Sequence, residues 1–177
     1  MQSKYLVYPI GRFQPPTEIS EQDISSFIER IKTLGTKLTA VLNQDPTIDW
    51  TQSYRPGSWT YVQLVHHLVD SHMNAFIRFK WTLTEDNPLI KAYDENAWAQ
   101  LPDAHGPLEQ AVHLLQALHH QWAILMESMT GEQWHRTYVH PEGLQTRSLA
   151  LTAALYAWHG DHHLAQIEQG ITLIHEQ

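Results

Sequence analysis

The sequence predicts an all-α protein, a four-helix bundle. Three observations carry this. Four segments place apolar residues at i, i+3, i+4 and i+7 spacing. The connections between them are rich in Pro and Gly. No stretch alternates apolar and polar residues over a convincing strand length. At 177 residues the length fits one domain, 1–177, with enough chain to bury a sizeable core.

Residues 1–19 hold Pro9, Gly11, Pro15 and Pro16, which predicts an extended arm laid across the domain. Ser20 is a helix cap with Asp23 answering it. The first helix runs to about Asn43 on Ile24, Phe27, Ile28, Ile31, Leu34, Leu38, Val41 and Leu42. Asp45-Pro46 ends it, and residues 45–57 form a turn-rich connection. Ser58 or Thr60 caps a second helix reaching about Leu83. That helix is apolar on most sides but keeps one polar stripe: Thr60, Gln63, His67, Asp70/Ser71, Asn74 and Arg78. A buried helix with such a stripe lines a pocket or meets solvent.

Residues 84–106 make a long crossover, with a short helical turn around Tyr93–Trp98. Pro107 opens a third helix to about 129. After a loop, 130–146, the fourth helix spans about 147–169 and stops near Gly170. The long crossover predicts a bundle that is not simple up-down-up-down.

Composition excludes several classes. Net charge is −8 and no Lys/Arg cluster stands out, which argues against nucleic acid as a partner. The absence of cysteine removes disulfides, thiolate ligands and a thiol nucleophile. No apolar run approaches the ~20 residues that span a bilayer, and the first residues lack a signal-peptide core. A cytoplasmic protein acting on a small molecule, without membrane partners and with a homodimer as the assembly to test for, is the expectation.

Thirteen histidines make position, not number, decisive. His159 and His163 stand one turn apart, so both imidazoles share a helix face. Leu149, Ala153, Tyr156 and Ala157 precede them with a period that turns this face inward. A third ligand comes from the second helix. His66 falls on the apolar stripe and His67 on the polar one, beside groups that could orient it, so His67 is the better choice. Three neutral ligands leave a coordination position open, as in catalytic zinc sites. His162 lies about 100° from His163 on the helical wheel and reads as peripheral. His72, His113, His119, His120, His135 and His140 read as surface or ordinary core residues. The peptidase motif that places Glu after the first His is absent, because Gly160 stands there.

Several motifs resemble the DinB-like superfamily of metal-binding four-helix bundles, and within it the YfiT-type metal-dependent hydrolases. They are Tyr8-Pro9-Ile10-Gly11, Gly57-Ser58-Trp59-Thr60, Val65-His66-His67-Leu68 and Asp70-Ser71-His72-Met73-Asn74. Further matches are Ile77-Arg78-Phe79-Lys80, Leu83-Thr84-Glu85, Tyr93-Asp94-Glu95 with Trp98, Tyr138 with His140-Pro141, and Trp158-His159 with His162-His163. The likeness spans nearly the whole chain. It implies a right-handed bundle of unusual connectivity and one divalent ion, zinc or nickel, on His67, His159 and His163. The family pattern puts a ligand eight residues beyond the opening Trp, here Trp59 and His67. Wider members often carry an acid directly after the position of His159, so Gly160 leaves the general base unassigned.

Two chemistries follow. The ion activates water for attack on an acyl or amide carbon, or it activates a low-molecular-weight thiol for S-transfer of the bacillithiol type. A third reading is a non-catalytic binding or stress protein whose ion clips helices together, with Asp70 as a fourth ligand. Asp70 and Asn74, three and seven residues beyond His67, are expected to line the pocket as orienting or substrate-contacting groups. Tyr138-Val139-His140-Pro141 and Tyr93-Asp94-Glu95 are expected on loops near the bundle end.

Overall fold

The computed structural model describes residues 7–176. Its four long helices are α1 (Glu21–Leu42), α2 (Tyr61–Thr84), α3 (Leu108–Glu127) and α4 (Leu149–His175). Local chemistry sets their starts. The Ser20 hydroxyl accepts from the Asp23 amide while the Asp23 carboxylate accepts from the Ser20 amide. Thr60 and Gln63 make the same reciprocal pair at α2. Each such cap satisfies amides that the first turn leaves open, worth about 1 kcal/mol. Pro107 occupies the residue just before α3.

The structure departs from the expectations in two places. Gly170 does not end α4, which continues to His175. A Cβ at Gly170 would collide with the Tyr61 hydroxyl, so this glycine serves close helix approach and not termination. The 130–146 segment also contains strands: β1 (Thr137–His140) pairs antiparallel with β2 (Gln145–Ser148). Gly143, at φ 69°, lies in the connection between them. The crossover extends this hairpin, since Val139 donates to Pro88 O and Ile90 donates to Val139 O.

α1 packs on α3 and α4, and α2 packs on the same two helices. Consecutive helices α1 and α2 therefore face each other across the bundle diagonal, which a simple up-down-up-down bundle does not allow. Two apolar clusters fill the interior. One gathers Leu34, Leu38, Leu64, Leu68, Leu115 and Ile167. The other gathers Ile28, Ile31, Phe79, Trp122, Met126 and Tyr156. A fully buried Leu of this kind contributes about 2 kcal/mol. Between the clusters α2, α3 and α4 contribute His72, His119, and His159 with His163, so a layer of imidazoles crosses the waist. No described helix is long and apolar enough to cross a membrane.

Candidate metal centre

His67, His159 and His163 converge, with one ring nitrogen of each within 4.8 Å of the others. His159 Nε2 lies 3.2 Å from His67 Nε2 and 3.1 Å from His163 Nε2. Nitrogens bound to one ion at about 2.0–2.1 Å stand roughly 3 Å apart, so the spacing fits a shared cation. Neutral rings fit it too. Burial holds His67 down at about 4, and it pushes His159 and His163 well below the usual imidazole range. Among the described residues no carboxylate joins the three.

Different neighbours hold the outer nitrogens. His163 Nδ1 lies 2.8 Å from Gln166 Oε1. An amide oxygen only accepts, so the proton sits on Nδ1 and the Nε2 lone pair faces the cluster. Gln166 Nε2 in turn donates to Val7 O at 3.1 Å, tying the site to the arm. His159 Nδ1 meets His72 Nε2 at 3.2 Å, and His72 Nδ1 meets His119 Nε2 at 2.9 Å. His72 and His119 are fully buried. His119 Nδ1 lies beside the Ile31 carbonyl without a well-formed hydrogen bond. Trp59 walls the His67 ring at 4.7 Å between centroids.

His159 is half-buried because its open side lines a cavity of about 740 Å³. Ser71, Arg78 and Tyr156 line its inner wall, and Tyr93, Asp94, Glu95, His140 and Glu142 also border it. Ser71 sits beside both phenol oxygens, and burial pushes Tyr93 up to about 12 and raises Tyr156. Partial burial and the neighbouring Glu142 and Asp94 carboxylates raise Glu95.

The polar stripe of α2 thus splits. Ser71 and Arg78 turn into the cavity. Asp70 faces Asp103 and His66, and burial with the Asp103 charge raises its carboxyl. Asn74 Nδ2 donates to Asp70 O at 2.8 Å. Asp70 and Asn74 are not among the residues bordering the cavity. His66 meets Gly106 O at 3.2 Å. His162 is buried under the arm, stacked on Trp158 at 4.7 Å and near Tyr8 at 5.7 Å. Tyr138 is buried in the hairpin and accepts from Thr152 Oγ1. Sequence alone gives His72, His119 and His140 no pattern beyond that of surface or ordinary core histidines. The structure puts the first two in the imidazole chain and the third on the cavity wall. Gly160 also has a physical reason: a Cβ there would lie 2.6 Å from Leu34 Cδ2. A side chain at this position fits between α4 and α1 only if the Leu34 side chain moves.

Residues 30–167 match the DinB superfamily profile. A Halalkalibacterium halodurans protein named "Putative metal-dependent hydrolase" is 44% identical over 164 residues, covering 93% of this chain and 95% of that one. A Bacillus cereus protein of the same name is 44% identical over 162 residues, covering 92% and 93%. The solved structure of YfiT from Bacillus subtilis superposes with a TM-score of 0.92 at 37% identity, covering 96% of this chain and 98% of that one. It is described as a probable metal-dependent hydrolase with an unusual four-helix bundle topology.

Proposed function

The chain belongs to the DinB superfamily, and from that membership and its site we propose that it is a metal-dependent hydrolase of a small molecule. One observation carries the reading: His159 belongs at once to the three-imidazole cluster and to the wall of the cavity. A divalent ion, zinc or nickel, held by His67, His159 and His163 would polarise an acyl or amide carbonyl and acidify water at this wall.

The residues of the chain do the rest. Gln166 and His72 keep the outer nitrogens of His163 and His159 engaged, so the inner nitrogens stay available as ligands. Trp59 shields the His67 side from water. Tyr156 and Tyr93, protonated at neutral pH as any phenol is and more firmly so because burial raises them, offer O–H donors to a substrate oxygen. Asp70 and Asn74, next to this wall on α2, are assigned an orienting role, Asn74 Nδ2 donating to the Asp70 carbonyl.

The test is metal analysis of the purified protein, then assay of zinc and nickel forms on simple esters and amides. His163→Ala is expected to lose stoichiometric metal and His162→Ala to keep it. Equal retention in both variants overturns the ligand set. Activity only with an added low-molecular-weight thiol and an electrophile moves the reading to thiol transfer.

A further inference from the structure

We propose that Arg78 is a carboxylate anchor, so that the substrate is an elongated acyl compound whose free carboxylate lies far from the bond that is cut. This rests on the hydrolase reading for the bond, but not for the anchor.

Arg78 lines the cavity and is 6% exposed. Among the described residues its side chain makes one hydrogen bond, from Nη1 to Tyr156 Oη at 3.3 Å, and its Nε has no partner. Among the described residues no carboxylate forms an ion pair with it. A buried guanidinium without a counter-anion is costly, and proteins retain such groups where a ligand supplies the charge. The same cavity is bordered by the Asp94, Glu95 and Glu142 carboxylates, and among the described residues none of them is ion-paired with Arg78. Burial holds His140 below its usual range, with the Arg147 and Arg78 cations adding to it and Glu142 opposing. Glu142 itself stands 79% exposed at its side chain.

The chemistry favours a planar anion. A guanidinium presents a fork of N–H donors that matches the two oxygens of a carboxylate. Position then sets the shape of the ligand. His67 and Arg78 are eleven residues apart on α2, ~16 Å of helical rise between their α-carbons, and the Arg78 side chain leans back toward the helix N-terminus, which brings its guanidinium nearer the imidazole cluster than that. Tyr156 fills the interval, its ring 5.7 Å from that of His159 and its hydroxyl on Arg78. A ligand that reaches both the imidazole cluster and the guanidinium is therefore extended along Tyr156.

The experiment uses the full chain, metal-loaded and metal-free, and two probes: suberic acid monoanilide and its methyl ester. Isothermal titration is expected to show the acid binding at least tenfold tighter than the ester in both forms of the protein. Arg78→Gln erases that preference, and Arg78→Lys keeps part of it by retaining charge without the fork. Equal binding of acid and ester, or no binding of the acid at millimolar concentration, overturns the proposal. So does a preference that survives Arg78→Gln, or one that disappears with the ion, which would put the carboxylate on the metal. Should Arg78→Gln fail to fold, the acid–ester comparison in the unaltered chain and Arg78→Lys still decide. An acid preference without hydrolysis retires the hydrolase and leaves the anchor; hydrolysis without an acid preference does the reverse.

Discussion

His159 and His163 leave the same face of α4, yet their outer nitrogens are held by different parts of the molecule. On the core side, His159 leans on His72 and His119, two rings with no solvent exposure, wedged between the apolar clusters. On the arm side, His163 leans on one amide, Gln166, whose other end holds a backbone carbonyl of the N-terminal arm. The core side is rigid because moving it repacks the bundle. The arm side depends on a surface segment. Stability and metal affinity should therefore fall together on the first side and separate on the second.

The largest expected effect is acid. Burial lowers His119 to about 3 and His67 to about 4, and holds His72 well below the imidazole range. The unfolded chain takes up these protons near pH 6.5 while the fold refuses them. Stability of the metal-free protein is thus full above about 6.5 and lost as pH falls, by up to about 1.4 kcal/mol per pH unit for each histidine. Denaturant titrations from pH 7 to 5 measure the slope. The double change of His72 and His119 to Leu should flatten it by two histidines, whereas Gln166→Leu should leave it unchanged. Equal slopes in all three would break the comparison.

Next in size is His72→Ala. It opens a cavity and strips partners from His159 Nδ1 and His119 Nε2, at a cost of about 3–4 kcal/mol. Metal affinity, read by chelator competition, should fall about 10–100-fold. Gly160→Ala is smaller, about 1–3 kcal/mol, because the Leu34 methyl it meets must move. Shortening Leu34 to Ala alongside it should restore part of the packing. Gln166→Leu is expected to lower metal affinity about tenfold with a loss of only about 1–2 kcal/mol, so the two readouts separate. Asp70→Asn comes last, with metal content unchanged. A large loss of metal there would return Asp70 to the ligand shell.

The four helices were legible because caps and apolar periods agree at Ser20, Thr60 and the segments behind them. The end of α4 was not. Gly170 looks like a stop signal in sequence, and only the Tyr61 ring lying on it shows another use. Strands of four residues, paired locally, give too short a pattern to read. At the site, one-turn spacing exposed His159 and His163, and the polar stripe picked out His67. The stripe also contained Ser71 and Arg78, but a wheel cannot say which edge faces a cavity; the fold chose these over Asp70 and Asn74. His72 and His119 stayed hidden because each lies on a helix packed with apolar neighbours. Their meaning comes from three helices meeting at one level.

The bridge made by Gln166 turns the arm and the ion into two ligands of one protein. Whatever free energy couples them acts equally in both directions. If detaching the arm weakens ion binding by some factor, then stripping the ion must loosen the arm by the same factor. Arg12, exposed on the arm beside Tyr8, gives a way to read this, since an arm that lifts more often is expected to be cut there faster by trypsin. Chelator should speed that cleavage, and zinc should slow it, in the protein with Gln166 but not in Gln166→Leu. Occupancy of a buried centre would then be reported at the surface, by a segment whose described residues supply none of the three imidazoles.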